Sequence, residues 1–452
     1  MKAASLLKLV ISCFSLLLFA GCTSHRVIDN SPSNVSTQRE SYSIEISSDR
    51  RGTGDLSLIL AFSGGGTRAA ALAYGVLEEL RDTTIMLDGV QLRLLDQVDL
   101  ISSVSGGSFT SAYYGLYGDR IFIDFESKFL RRDINSGLIR KLLNPILLFS
   151  SSARTESAVR YYEDTVFHGA TFADMNRANS PLILINATDL SKGVRFSFVQ
   201  EYFSLLCSDI LSFPVARAVT ASAAVPVLFS PVVMENYQHC KETKPRWLVE
   251  AETRVAAEPD LTNVVNGLTE YYNEDRKFSH FIDGGITDNL GLRAIYEIIE
   301  LSGGSRTFLK RAGRTPPHHF VVISIDASTD IEGKMDKSKD KPSLESTISA
   351  ISKVQLSRYS SVTLELMEDS IARWSQESST PKRRIKPFFI PIGLKDSNLS
   401  KKELQILNSI PTSFSLSNQQ VDSLINAGHK LLRENQIYQE LLTDLNVLQN
   451  HM

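Results

Sequence analysis

Residues 56–80 read LSLILAFSGGGTRAAALAYGVLEEL. The run from Leu56 to Phe62 is short and continuously apolar, the pattern of a strand buried on both faces. Ser63-Gly64-Gly65-Gly66 interrupts it, and from Thr67 an Ala- and Leu-rich stretch with helical spacing continues to Leu80. The expected order is buried strand, glycine turn, helix. Three glycines at such a turn permit positive φ and leave amide N–H groups bare at the helix end where the dipole favours negative charge. The turn is shaped to hold an anion.

Which anion this segment alone leaves open. Gly64, Gly66 and Ala69 fit a dinucleotide fingerprint, and Asp88 lies 19 positions past Ala69, near where a ribose-binding acid is expected. A second reading gives the glycines to tight packing of helix on strand. No GK(S/T) follows, so a phosphate-binding loop of the Walker type is excluded.

Two more turns share the design. Val98 to Val104 (VDLISSV) reads as another buried strand, ending in Ser103-Val104-Ser105-Gly106-Gly107 before a helical run. A nucleophile elbow needs small residues two before and two after its serine, because the backbone bends so tightly there. Ser103 and Gly107 meet that demand, although the usual GxSxG has become SxSxG. The third turn follows His280-Phe281-Ile282 and reads Asp283-Gly284-Gly285, then Thr287-Asp288-Asn289. A lone DGG is commonly a turn or cap. An ordered set of three glycine turns is far rarer by chance.

These residues resemble the patatin-like phospholipase family, whose domain carries a GGGxR oxyanion turn, a GxSxG serine and a DG(G/A) aspartate in that order. The matching positions are Gly64 to Arg68, Ser103 to Gly107 and Asp283 to Gly285. The stretch from Ala216-Arg217-Ala218 through Ser222-Ala223-Ala224 to Pro226 is similar to that family's small-residue helix and proline turn. Asn289 falls where the family often has asparagine. The resemblance covers roughly residues 56–330. Departures are Ser103 for glycine, Ser63 where aspartate is common, Ala69 where glycine is common and Leu290 for a frequent proline. The fold implied is a three-layer α/β/α arrangement with a mostly parallel central sheet and C-terminal helical additions.

The resemblance also implies a Ser105–Asp283 dyad rather than a triad. None of the eight histidines occupies a recognisable triad motif, though a hidden Ser-Asp-His triad stays open. A serine hydroxyl is a poor nucleophile until a base takes its proton, and a carboxylate of ordinary pKa is a weak base. Burial must raise it, and a direct hydrogen bond must position it. Amides of Gly65 and Gly66, with Gly106 beside the serine, are expected to meet the developing oxyanion. Arg68 is expected either to face a phosphodiester headgroup, as the related arginine is thought to do in cytosolic phospholipases, or to be a helix-surface charge or a structural ion pair.

Upstream, Leu9 to Gly21 is an uncharged run of 13 residues ending at Cys22, too short to span a bilayer and long enough for export. With Ala20 and Gly21 before the cysteine it resembles a bacterial lipoprotein signal, apart from Phe19 where Leu, Val or Ile is usual. A secretory leader with a chance cysteine is the alternative. Acylation at Cys22 would hold the protein on a membrane, and Thr23 rather than Asp after it points to the outer membrane of a double-membraned bacterium. Residues 23–55 are mostly polar and read as a tether. Cys207 and Cys240 remain in an oxidising compartment, as a disulfide or as two separate thiols.

Composition bounds the rest. The 452 residues are 42% hydrophobic and 22% charged, with net charge −3, or about −5 without Lys2 and Lys8 of the leader. No basic field for nucleic acid exists. No HExxH or CxxC pair is present, so no metal or other cofactor is expected. Beyond residue 330 a mainly helical region is expected to pack on the catalytic domain. It comprises a polar loop at 332–343, helical periodicity over 344–374, a strand at 385–392, and a helix over 418–442 with Val421, Leu424, Ile425, Leu431 and Leu432 on its core face. Lys382, Arg383, Arg384 and Lys386 form a short basic cluster, expected at a solvated edge. The functional expectation is an exported, lipid-anchored serine hydrolase of phospholipid or lysophospholipid esters. Two alternatives are an inactive scaffold of the same fold, motivated by Ser103, and a nucleotide-binding protein.

Overall fold

The computed structural model describes residues 30–33, 42–44, 55–87, 89–132, 151–226, 228–329, 339, 341, 344–395 and 399–447. The leader, Cys22, Asp88 and most of residues 332–343 lie outside the described residues. Eight strands form the central sheet: β1 (Leu56–Phe62), β2 (Val98–Val104), β3 (Leu182–Asp189), β4 (Val194–Ser197), β5 (Val232–Glu235), β6 (Phe278–Asp283), β7 (His319–Asp326) and β8 (Lys386–Gly393). Their order is β8-β7-β1-β2-β3-β6-β5, with β4 paired to β3. From β8 to β3 every pairing is parallel, whereas β6 runs antiparallel to β3 and to β5. β3 is buried along its whole length, as a strand covered by helices on both faces must be.

Register sets the active end of the sheet. Val104 lies opposite Asn186 and Asp283 opposite Ala187, so consecutive residues of β3 hold the last residues of β2 and β6 side by side. Helices α1 (Thr67–Asp82) and α2 (Gly106–Tyr117) start at the turns after β1 and β2. α3 (Ser151–Tyr162) and α4 (Val215–Ser222) follow, and α5 (Leu292–Leu301) packs against the long α6 (Leu344–Ser378).

The C-terminal region joins this sheet directly. β8 pairs with β7 in parallel from His319↔Lys386 to Asp326↔Gly393. The expected helix over 418–442 is two helices, α7 (Asn418–Arg433) and α8 (Gln436–Val447). The break has a local cause: the Asn435 side chain accepts from Tyr438 N at 3.1 Å and so caps the second helix. Val421, Leu424, Ile425, Leu431 and Leu432 are buried as their spacing predicts.

Two pieces of the stretch read as a tether are docked. Ser31–Pro32 pairs with Ser208–Asp209, and the Asn30 side chain donates to Ser208 Oγ and Glu235 O. The Tyr42 hydroxyl accepts from Ile183 N at 2.7 Å, with the ring buried. Polar composition hid these anchors because one buried amide and one buried phenol carry them. Cys207 and Cys240 form a disulfide. Closing a loop of 33 residues stabilises by about 3–4 kcal/mol in the chain-entropy model.

α7 lies on α1 at a separation that only glycine permits. A Cβ on Gly75 would stand 2.2 Å from Ile425 O, and one on Gly428 2.6 Å from Leu72 O. Gly75→Ala should gain about 1 kcal/mol of helix propensity and lose more to overpacking against backbone, a net destabilisation of about 1–2 kcal/mol. Urea denaturation of the full chain measures it; a variant as stable as the parent would contradict the close crossing.

Candidate active site

The turn after β1 is closed by its own side chains. Ser63 Oγ donates to Gly64 O and accepts from Ala327 N at 2.9 Å, so a neutral hydroxyl does the bracing at the position where aspartate is common. Gly64 N is committed to Asn289 O at 2.9 Å, and Thr67 N to Ser413 O at 2.9 Å. Among the described residues, the N–H groups of Gly65, Gly66 and Gly106 meet no acceptor. They are the bare amides that the sequence assigns to an oxyanion. Gly66, at φ 62°, and Gly106 touch backbone to backbone: a Cβ on Gly106 would stand 2.0 Å from Gly66 O. The glycine turn therefore faces the serine elbow.

Ser105 follows the last residue of β2, and its φ of 50° and ψ of −119° turn the chain out of the strand and into the start of α2. Such a conformation costs a non-glycine residue on the order of 1–3 kcal/mol and persists only where its surroundings over-determine it. Across from it, β6 delivers Asp283. Ser105 Oγ donates to Asp283 Oδ2 at 3.0 Å, across 178 positions of sequence. Gly285 N donates to Asp283 Oδ1 at 2.8 Å, which orients the carboxylate. Burial pushes the Asp283 pKa up from 3.8 to about 6, and the hydrogen bonds from Gly285 and Ser105 restrain the rise. A buried carboxylate with such a pKa is ionised at neutral pH and is a stronger base than one in water.

The sequence matches the family model for patatin-like phospholipase over residues 60–296, more than half of the chain. The chain belongs to the patatin-like phospholipase family. Among solved structures it is similar to human GIVD cytosolic phospholipase A2, at 13% identity and a TM-score of 0.42, with 90% of this chain and 65% of that one covered. The same human protein in complex with methyl gamma-linolenyl fluorophosphonate matches at 14% identity and a TM-score of 0.38, covering 89% of this chain and 60% of that one. The chain thus spans less than two thirds of the structures it matches. No curated protein matches.

Within this patatin-like domain, Ser103 is buried where the family has glycine. Its hydroxyl donates to Leu184 O at 3.2 Å and accepts from Ser111 Oγ at 2.7 Å, so the added atoms are absorbed without touching Ser105. Arg68 differs from the headgroup expectation. Its side chain is buried, Nε donates to Ala327 O and Nη1 to Ile410 O, each at 2.8 Å, and burial lowers its pKa to about 10. It ties the glycine turn to the end of β7 and to the C-terminal region through two carbonyls, where the sequence suggests a surface charge or an ion pair as the alternative. No described histidine bonds Ser105 or Asp283. His319 and His429 instead pair with Asp444 and with Glu78 and Glu79. A cavity of about 100 Å³ lies elsewhere, at the opposite ends of the strands beside Ser57, Leu100, Leu182 and Phe320, and offers Ser105 nothing.

Two residues of the site escaped sequence reading. Ser105 N donates to Ser222 Oγ at 2.8 Å, and Asn186 Nδ2 donates to Ser103 O at 3.1 Å. Ser222 was visible only as one small residue in a small-residue helix; Asn186, a polar residue inside an apolar strand, was the clearer signal.

The raised pKa of Asp283 has a sign for stability. A carboxylate whose folded pKa lies above its unfolded value favours the folded state at low pH, and that contribution is lost as pH rises between about 4 and 6. The shift from 3.8 to about 6 corresponds to roughly 3 kcal/mol at pH 7. Asp283→Asn can keep both hydrogen bonds, Oδ1 accepting from Gly285 and Nδ2 donating to Ser105, without the buried charge. It should stabilise the protein by about 1–3 kcal/mol at pH 7 and by little at pH 4. Thermal melts at both pH values check this; equal stability at pH 7 would mean the carboxylate is better solvated than its burial implies.

Proposed function

We propose that this protein is a serine acyl hydrolase that cleaves carboxylic ester bonds of phospholipids or lysophospholipids. The hydrogen bond between Ser105 Oγ and the buried Asp283 carboxylate carries the reading. Asp283 takes the Ser105 proton as Oγ attacks the ester carbonyl, and the N–H groups of Gly65, Gly66 and Gly106 stabilise the tetrahedral oxyanion. Collapse of that intermediate breaks the ester C–O bond. The leaving alkoxide receives the proton from Asp283 and departs as an alcohol, leaving acyl-Ser105. Water, deprotonated by Asp283, then attacks the acyl group, and free acid leaves as the proton returns to Ser105.

The residues around the dyad support this assignment over an inactive scaffold, because the Ser103 hydroxyl is taken up by Leu184 O and Ser111 Oγ and Ser105 still bonds Asp283. They also support it over nucleotide binding, since the glycine turn abuts the elbow and Gly64 N is already bonded. The leader ending at Cys22 supports a membrane-anchored location, which places the enzyme beside its substrate. The outer membrane is the proposed site, through acylation of Cys22.

A fluorophosphonate probe should label wild-type protein and leave Ser105→Ala unlabelled. On a panel of phospholipids and lysophospholipids, Ser105→Ala and Asp283→Asn should each lose at least about 10⁴-fold in kcat. Folded wild type that neither labels nor turns over any lipid ester would overturn the proposal. The wild-type pH profile of kcat/KM should rise through an apparent midpoint near 6 as Asp283 ionises, and a flat profile between pH 5 and 7 would remove Asp283 as the base.

A further inference from the structure

We infer that Ser222, at the last position of α4, is a positioning residue that holds the nucleophile and the base in one bonded unit; the inference rests on the acyl-hydrolase reading above. Ser222 is fully buried. Its Oγ accepts from Ser105 N at 2.8 Å and donates to Asn186 O at 2.6 Å, and Ser108 Oγ lies 3.1 Å away. A hydroxyl has one proton and two lone pairs. With Asn186 taking the proton and with Ser105 and Ser108 as donors, all three are used and the rotor has one orientation.

The backbone of the same residue reaches the base. Gly284 N donates to Ser222 O at 3.0 Å, and Asp283 N donates to Ala224 O at 3.1 Å. Ser222 therefore bonds the nucleophile through its side chain and the turn of the base through its carbonyl. The 3.0 Å spacing of Ser105 Oγ and Asp283 Oδ2 is fixed by this shared partner as much as by the sheet. The contact also withdraws the Ser105 amide from the oxyanion, leaving that task to Gly65, Gly66 and Gly106, and it anchors the positive-φ elbow against relaxation.

Removing the hydroxyl leaves Ser105 N–H and Asn186 O without their shared partner. The elbow is then free to relax, and the Ser105 hydrogen bond that restrains the rise in the Asp283 pKa weakens. Ser222→Ala should lower kcat by about 10- to 100-fold, as expected for a misplacement on the order of 1 Å, with KM within about twofold. Its pH–rate midpoint should move upward from the wild-type value. Ser108→Ala is the comparison: it also removes a buried partner of Ser222 Oγ but no bond to Ser105, so it should lower the melting temperature and leave the midpoint in place. Ser222→Cys, which keeps a side chain at the position but is a weaker acceptor, gives the same measurement if the alanine variant does not fold, and should show the same split in milder form.

Should folded Ser222→Ala or Ser222→Cys match wild type in kcat and in midpoint while only the melting temperature falls, Ser222 is structural and the inference is overturned. Fluorophosphonate labelling of wild type, run in parallel, separates the two failures. An unlabelled wild type overturns the hydrolase reading and this inference together; a labelled and active wild type with an indifferent Ser222 overturns this inference alone.

Discussion

The organising constraint in this protein is a buried carboxylate. In the proposed reaction Asp283 must be dry enough to act as a base and must still be ionised at neutral pH, and those demands oppose each other. The compromise is visible in its partners: one donor is the backbone of Gly285, one is the hydroxyl of Ser105, and no cation stands among the causes of its pKa. A neighbouring arginine would stabilise the charge and remove the basicity. Arg195, whose side chain reaches Asn186, is spent on Glu297 and Tyr202.

That buried polarity is costly, and hydrogen bonds among the residues behind the dyad offset it. Asn186 stands inside a strand that is otherwise fully apolar up to that point, and it bonds Ser102, Ser103 and Ser222 at once. Arg195 extends the same network toward Glu297 on α5. The parallel sheet supplies a rigid frame for it, and β6, running the opposite way, brings its last residue to the middle of β3 instead of to an open end.

Much of this was legible in the chain. A continuous apolar run announced β1, shorter apolar stretches before glycine turns announced β2 and the end of β6, and the small residues around Ser105 announced the elbow. The direction of β6 was not legible, because a buried strand has the same composition whichever way it runs. Nor was the orientation of Arg68: its two carbonyl partners lie 259 and 342 positions away, and only the fold brings them near. Ser222 was hidden for a related reason, since a small residue chosen for packing and one chosen for its hydroxyl look alike in a sequence.

The carbonyls of Ile410 and Ser413 grip the first residues of α1 from beyond the span that family similarity delimits at residue 296. Inheritance and architecture therefore draw different borders in this molecule. A recombination event joining its first three hundred residues to a foreign tail would transmit nucleophile and acid intact, yet strand the glycine turn without its clasp. The tail is thus a working part of the turn, because main-chain carbonyls of the one hold the backbone and the arginine of the other.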